Sequence, residues 1–221
     1  MSEGGDRRAR KKAATRALVL STAQRLFRER GFDAVTIADI AGTADVAVQT
    51  VFNHFSTKEE LFFADRDEWV AAPADAVRAR AAGRSPEEAL RESLVAMVTD
   101  YIGGLAEPGH RAMVETLAAT PALRIHEREL TEVSQQLLRD ALVEAWSDLL
   151  GRKPEELRRT AALVAATWVT TVRTVAYEYR LPMPTPEEAP TQARAAAQLV
   201  ERVLRGLEAT LERSDALLGR S

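Results

Sequence analysis

The spacing of apolar residues constrains the fold of this chain more than any other feature of its sequence. Apolar side chains recur every three or four positions along most of the 221 residues, and alternation at a period of two is nearly missing. A spacing of three to four matches the turn of an α-helix, whereas a period of two is typical of a strand. Ala, Leu, Arg and Glu dominate the sequence, and all four residue types are strong helix formers. The pattern therefore predicts an all-α protein.

Gly and Pro residues divide the predicted helices into a short-helix part and a long-helix part. A first helix is expected at about residues 13–30, with Gly31 placed to end it. Two short helices follow at about 36–42 and 47–55. The other helices are longer, at about 58–81, 86–106, 110–119, 122–150, 154–180 and 189–213. The pattern predicts about nine helices, and the change in helix length near Leu61 predicts a domain boundary.

Positive charge is concentrated at the N-terminal end. The formal net charge is −3, yet residues 7–30 contain nine Lys or Arg side chains and a single acid, Glu29. Such asymmetry is expected when only one end of a protein meets a polyanion such as nucleic acid. A basic tail that only aids solubility is an equally weighted alternative.

Residue types and spacing exclude several classes of function. The chain has no Cys, and its three His residues lack the spacing of metal ligands, so we expect no disulfide, metal site or cofactor. No phosphate-binding loop, nucleophile with a plausible base or convincing carboxylate pair is present, so we expect no enzymatic activity. No apolar run approaches the roughly 18 residues of a membrane span. We therefore expect a cytoplasmic protein with no membrane partner.

Residues 36–55 contain two short helices joined by a tight turn. Thr36 and Asp39 have the spacing of a capping box, which starts the first of these helices. Neither helix can bury a whole face alone, so the two are expected to share a small core formed by Ile37, Ile40, Ala41, Val51 and Phe55. This arrangement is a helix-turn-helix, in which the second helix lies in the major groove of DNA.

The exposed start of the second helix provides candidates for reading bases. Ala47, Val48 and Gln49 are short or polar enough to approach base edges; a valine suits a thymine methyl, and a glutamine suits adenine N6 and N7. Side-chain donors around this helix are candidates for phosphate contacts, namely Thr36, Thr50, Asn53, His54 and Lys58. For three of them a purely structural role is the alternative: packing for His54, a local carbonyl bond for Thr50, and solvation for Lys58.

This segment resembles the tetracycline-repressor (TetR) family. The family has the pattern T…IA…V…T-L-Y-x-H-F…K-x-x-L, and in this sequence the corresponding positions are Thr36, Ile40, Ala41, Val46, Thr50, Phe52, His54, Phe55, Lys58 and Leu61. The resemblance implies an N-terminal three-helix helix-turn-helix DNA-binding domain at 13–60, preceded by a basic flexible arm at 1–12. A larger C-terminal helical domain for ligand binding and dimerisation would occupy 61–221. The predicted DNA-binding residues are Thr36, Val46, Ala47, Val48, Gln49, Thr50, Phe52, Asn53, His54 and Lys58.

Three positions depart from the family pattern. Phe52 replaces the usual Tyr, so contact from that position can only be apolar. Asp45 stands where Gly is common in the turn, and Asp tolerates a left-handed backbone better than most residues. Ala47 replaces the usual Ser or Thr that opens the second helix, and a missing N-cap typically costs about 0.5 to 2 kcal/mol. The second helix is therefore expected to be mobile until DNA orders it.

The C-terminal helices carry the candidates for effector binding. By resemblance they enclose a ligand cavity, and the candidate lining residues are Met97, Tyr101, Met113, Trp146, Trp168 and Tyr177. These residue types favour a small, largely apolar or aromatic molecule. Ordinary core packing is the alternative for each of them.

The last two predicted helices carry small-residue faces, which let helices approach closely. One contains Ala161, Ala162, Ala165, Ala166, Val169 and Val172, and the other contains Ala195, Ala196, Leu199, Val203 and Leu207. By resemblance, two copies of this pair form a homodimer, which places two second helices about one DNA turn, ~34 Å, apart on a palindrome. Closure of the monomer core is the alternative.

Together these features predict a repressor that binds operator DNA as a dimer and is released by a small molecule. An activator of the same fold is an alternative. A helical adaptor that binds only protein is a second alternative, although it leaves the basic N-terminus and the pattern from Thr36 to Lys58 without an explanation.

Overall fold

The structure, a computed structural model, describes residues 3–64 and 68–213, with side-chain surroundings described from residue 7 to residue 211. Over these residues it contains ten α-helices and no strand, which confirms the predicted all-α fold. The helices are α1 (Glu3–Arg30), α2 (Ile37–Thr43), α3 (Val48–Phe52), α4 (Lys58–Phe63), α5 (Glu68–Arg78), α6 (Pro86–Gly103), α7 (Pro108–Ala119), α8 (Pro121–Leu150), α9 (Pro154–Glu178) and α10 (Ala189–Arg213).

The first helix is longer than its apolar pattern predicted. α1 begins at Glu3 and ends before Gly31, whose φ of 81° is left-handed. Residues 3–12 therefore form a helix and not the flexible arm predicted for residues 1–12; Met1 and Ser2 lie outside the described residues. Arg, Lys and Ala, which fill positions 7–12, are strong helix formers. Because this stretch has no apolar face, periodicity alone could not detect it.

Helix caps define the next short elements. Thr36 Oγ1 accepts a hydrogen bond from the Asp39 N–H at 3.1 Å, and the Asp39 carboxylate accepts one from the Thr36 N–H at 2.8 Å. The predicted capping box is therefore confirmed. The Thr57 hydroxyl caps α4 by accepting from the Glu60 N–H at 3.0 Å. Ala47, at the N-cap of α3, has no side chain that can do the same.

The single helix predicted at 58–81 is two helices in the structure. α4 ends at Phe63, and Ala64 has φ −54° and ψ 139°, which lies outside the helical region. The next described helix, α5, begins at Glu68. This interruption accounts for the difference between nine predicted and ten observed helices over the described residues.

The described residues form two compact units. One contains the residues up to 64 together with 116–126, and the other contains 68–115 and the residues from 127 onwards. Residues 116–126, which the sequence analysis assigned to the domain at 61–221, fall in the first of these units. Leu123 is fully buried and the ring of His126 lies 5.4 Å from that of Phe63, both within the first unit. Apolar and ring contacts thus draw this distant segment into the N-terminal unit.

The second unit has its own large core, built from α5 to α10. Trp168 and Trp146 are buried in it, and the indole N–H of Trp146 donates to Glu87 at 2.7 Å. Arg91 of α6 forms ion pairs with Glu201 and Glu208 of α10. Over the part of the chain that the structure describes, no helix is long and apolar enough to span a membrane.

Candidate nucleic-acid interface

The helix-turn-helix is held together by apolar side chains on facing sides of its short helices. Ile40 and Ala41 of α2 and Val51 of α3 are buried, as is Phe55 just after α3. Ile37 is only partly buried. Apart from Ile37, the shared core has the residues that the sequence predicted. Because these inward positions are filled, the orientation of α3 is set by packing within the N-terminal unit.

The turn between α2 and α3 depends on one unusual backbone conformation. Asp45 has φ 52°, and over the described residues no other residue except glycines has a positive φ. The Val46 N–H then donates to the Ala41 carbonyl at 3.0 Å, which closes the turn. Asp is among the few residues that adopt this conformation at modest cost. The substitution of Asp for the common Gly therefore preserves the turn.

The outer side of α3 combines apolar and amide groups. Val48 and Phe52 lie one turn apart, and their exposed fractions are 43% and 46%. Gln49 and Asn53 are also exposed, and the Gln49 side-chain amide donates to Asn53 Oδ1 at 3.2 Å. Ala47 is exposed at the start of the same surface. The base-reading candidates therefore lie together on one accessible surface of the helix.

Three further predicted DNA-binding residues are less accessible. Val46, Thr50 and His54 are each half-buried, so part of each side chain is occupied by the protein. The Thr50 N–H donates to the Ala47 carbonyl at 2.8 Å and the His54 N–H donates to the Val51 carbonyl at 3.0 Å. These backbone groups are satisfied within the protein, so contact with phosphate would have to use the side chains.

Thr36 is engaged in its capping box. Its hydroxyl and N–H both pair with Asp39, and these hydrogen bonds lower the pKa of the Asp39 carboxyl below its usual value. The ionised carboxylate therefore lies at the start of α2, where a phosphate was expected to bind. In this structure Thr36 acts first as a helix cap.

Lys58 connects α4 to the loop between α1 and α2. Its Nζ donates to the carbonyls of Phe32 at 3.0 Å and Val35 at 3.1 Å, and it lies 4.2 Å from the centre of the Phe32 ring. It is half-buried and not simply solvated. An ammonium group has three donors, so one remains for another acceptor. Sequence spacing missed this structural role, because the partner carbonyls lie more than twenty residues earlier in the chain.

Exposed cations cover the beginning of α1. Arg7, Arg8, Lys11 and Lys12 are all exposed on this helix, as is Arg10. Further along, the guanidinium of Arg16 lies 4.9 Å from the centre of the Phe55 ring, which connects α1 to the residue after α3. Positive charge and the exposed surface of α3 therefore occur in the same unit.

Comparison with known families agrees with this geometry. Residues 19–64 match the profile of the family described as bacterial regulatory proteins, tetR family. This segment of the chain therefore matches the DNA-binding part of the TetR family. The matched segment runs from within α1 to the end of α4 and contains the whole helix-turn-helix.

One curated TetR-family relative is the HTH-type transcriptional regulator TcmR of Streptomyces glaucescens. It is 30% identical over 120 residues, which cover 52% of this chain and 53% of the relative. The chain therefore matches about half the length of that protein.

Two solved structures show the same fold. One is described as a SmeT–triclosan complex, with TM-score 0.53 and 18% identity over 86% of this chain and 91% of that one. The other is NalD, the secondary repressor of the MexAB-OprM multidrug efflux pump in Pseudomonas aeruginosa. Its TM-score is 0.51, with 20% identity over 87% of this chain and 96% of that one. At this identity the likeness concerns the fold.

The six effector candidates do not form one group. Trp146 and Trp168 are buried core residues, and Met97 and Met113 are partly buried against that core. Tyr101 is also partly buried against that core, whereas Tyr177 is not part of it, and the hydroxyls of both tyrosines contact ionic groups. The hydroxyl of Tyr101 accepts from Arg180, and that of Tyr177 donates to Glu127.

Three ionic residues that the sequence analysis did not identify surround these tyrosines, namely Glu127, Arg173 and Arg180. One signal was available. Glu127 lies on the same side of α8 as the buried residues Leu123, Thr131, Ser134 and Leu138. A charged residue in such a row predicts a buried ion pair, although it does not identify the partner.

The predicted dimer faces are divided between the core and the surface. In α9, Ala161, Ala165, Val169 and Val172 are buried within the second unit, and Ala196 is buried in α10. The exposed members of the predicted faces are Ala162, Ala195, Leu199 and Val203, and beside them Leu163 is 62% exposed. The core thus uses much of each face and leaves an apolar strip on α9 and another on α10.

Proposed function

We propose that this protein is a ligand-responsive transcriptional repressor that binds a palindromic operator as a homodimer in the cytoplasm. A small molecule with an apolar or aromatic body would release it. The observation that supports DNA binding most strongly is the outer surface of α3. Two large apolar side chains, Val48 and Phe52, are exposed there beside the amides of Gln49 and Asn53. Apolar groups in such a cluster usually have a partner that covers them.

The chemistry of this surface suits the major groove. Val48 and Phe52 form an apolar ridge that would pack against thymine methyl groups. Gln49 would exchange its intramolecular bond with Asn53 for a bidentate pair with adenine. Thr50 and His54 would contact phosphates from the less accessible flanks of α3, and the exposed cations of α1 would add contacts that do not depend on sequence.

Dimerisation would use the exposed strips of α9 and α10. Leu163 of α9 and Leu199 and Val203 of α10 are large apolar residues that face solvent in the single chain. Pairing two copies would cover them and would present two α3 helices to successive turns of DNA. The similarity of residues 19–64 to the TetR family supports this arrangement.

Selection of bound duplexes from a random pool, using the full chain, tests the proposal. We expect a palindrome with half-sites about one helical turn apart. Gln49→Ala should weaken binding roughly 5- to 150-fold and relax selectivity at one position in each half-site. Gln136→Ala, which removes an exposed amide on α8, serves as the matched control and should leave binding unchanged.

Two results would contradict the proposal. Binding that is weak and insensitive to salt would indicate an adaptor that recognises protein. Enrichment of a single, unrepeated half-site, together with a monomeric mass at micromolar concentration, would contradict the dimer.

A further inference from the structure

A buried ionic cluster in the second unit joins three helices. It consists of Tyr101 from α6, Glu127 from α8, Arg173 and Tyr177 from α9, and Arg180, which follows α9. Glu127 is 7% exposed and Arg180 is 8% exposed. Burying charge in this way is costly unless each ionic group has a partner.

Glu127 and Arg180 form an ion pair with two hydrogen bonds. Arg180 donates to both carboxylate oxygens of Glu127, through Nη1 at 2.9 Å and through Nη2. Its Nε donates to the Tyr101 hydroxyl at 2.8 Å. Tyr177 adds a third hydrogen bond to the carboxylate at 3.2 Å. The carboxylate therefore accepts three hydrogen bonds, two from one arginine and one from a tyrosine.

Arg173 is the surplus cation of the cluster. Over the described residues its one hydrogen bond goes to the backbone carbonyl of Glu127 at 2.9 Å, and its nearest carboxylate oxygen lies 3.7 Å away. Burial lowers the pKa of the Arg173 guanidinium, although the Glu127 carboxylate opposes this effect. Among the residues that the structure describes, the cluster has two guanidinium groups and one carboxylate, and so carries one positive charge without a matching anion.

Aromatic rings flank this surplus cation. The guanidinium of Arg173 lies 4.7 Å from the centre of the Tyr177 ring and 6.0 Å from that of Trp69. A planar cation with unused N–H donors, beside aromatic rings, is suited to a flat molecule that carries an anionic group.

We propose that Arg173 binds the carboxylate of an acidic aromatic effector. The carboxylate of the effector would supply the missing negative charge and accept hydrogen bonds from the unused N–H groups of Arg173. The aromatic body would pack against Trp69 and Tyr177. This inference rests on the proposed function, because it gives the chemical class of the effector. It restricts the class of expected effectors from apolar or aromatic molecules in general to those that carry an anionic group.

Two nearly isosteric probes test the requirement for charge. The full-length protein is titrated with 2-naphthoate and with 2-naphthamide up to 10 mM, and thermal unfolding and tryptophan emission are recorded. 2-Naphthoate should raise the melting temperature and quench emission, and 2-naphthamide should bind roughly tenfold or more weakly. Trp69→Phe should remove most of the quenching and retain the stabilisation, because the other tryptophans lie in the core.

Variants of Arg173 test the assignment to this side chain. Arg173→Gln should weaken naphthoate binding roughly ten- to hundredfold and leave naphthamide binding unchanged. Arg173→Lys retains the charge without the planar fork, so it should bind naphthoate with an intermediate affinity even if Arg173→Gln unfolds. Arg159→Gln, which removes an exposed cation nearer the start of α9, is the matched control and should bind like the unaltered chain.

Three outcomes would overturn the inference: equal binding of the acid and the amide, undiminished acid binding by folded Arg173→Gln, or no acid binding at 10 mM. Operator binding measured on the same preparations separates this inference from the proposed function. Acid binding without operator binding would contradict the repressor alone. Operator binding without acid binding would contradict only the acidic effector.

Discussion

Replacing Ala47 with Ser should stabilise α3 by about 1 kcal/mol. Ala47 is the N-cap of this helix, with φ −69° and ψ 147°, and it offers no side-chain oxygen to the first amides. Ser85, the N-cap of α6, has φ −72° and ψ 147°, and its Oγ accepts from the Glu88 N–H at 3.0 Å. Because the backbones of the two N-caps nearly coincide, the Oγ of a serine at position 47 can accept from the Gln49 N–H, or share the Thr50 N–H that already donates to the residue-47 carbonyl at 2.8 Å.

The expected gain in the stability of α3 is that of a typical N-cap substitution. Exchanging Ala for Ser at an N-cap is worth about 0.5 to 2 kcal/mol. One kcal/mol corresponds to about a fivefold change in the equilibrium for local opening. Amide hydrogen exchange of Gln49, Thr50 and Val51 without DNA should therefore slow by about fivefold. Ala47→Val, which adds bulk without an oxygen, should produce no such slowing.

DNA affinity should respond in the same direction. If α3 is ordered only on binding, capping it in advance removes part of that cost and strengthens operator binding by up to the same factor. Unchanged exchange in Ala47→Ser, with Ser85→Ala still weakening the start of α6, would refute the reasoning. It would mean that packing and not the missing cap limits the opening of α3.

Three further predictions concern the N-terminal unit. Lys58→Met leaves the carbonyls of Phe32 and Val35 without their donor, so the unit should lose roughly 1 to 3 kcal/mol in urea unfolding followed by amide exchange; an unchanged midpoint would contradict this role. Because the pKa of Asp39 is below its ordinary 3.8 in the folded protein, its contribution to stability is present above that value and is lost as the pH falls through the folded pKa. Asp39→Asn should therefore lower stability at neutral pH and flatten its dependence on acid, as measured by pH-dependent melting; a parallel acid profile would argue against the capping box. Deleting residues 1–12 should reduce the salt dependence of DNA binding by about one unit for each lost phosphate contact, and an unchanged slope would show that these cations do not reach DNA.

The parts of the helix-turn-helix that could be predicted depend on residues close together in the chain. The capping box joins Thr36 to Asp39, three positions apart. The end of α1 depends on Gly31 alone, and the turn depends on the tolerance of Asp45 for a left-handed backbone. Such features are set by local sterics and hydrogen bonding, and they appear in the sequence as short spacings.

Helix boundaries were less predictable where the apolar pattern was weak or continuous. The basic start of α1 has no apolar face to reveal it, although its residues favour a helix. The interruption after Phe63 falls within a pattern that reads as one helix, and the break is visible only in the backbone of Ala64. Periodicity reports which face is buried and does not report where the hydrogen-bond ladder stops.

The sequence by itself determined the all-α class, the caps and turn of the helix-turn-helix, and the exposed Val48 and Gln49 on its second helix. Tertiary structure decided which distant groups meet. It brings Lys58 to the loop after α1, and it brings Glu127 to Arg180 across 53 positions of the chain. The physical reason is that the pairing of buried polar groups depends on how helices pack, and helix packing depends on the whole set of apolar faces. The charge balance around Arg173 is an example, because it depends on the packing of α8 against α9, which brings Glu127 and Arg173 together.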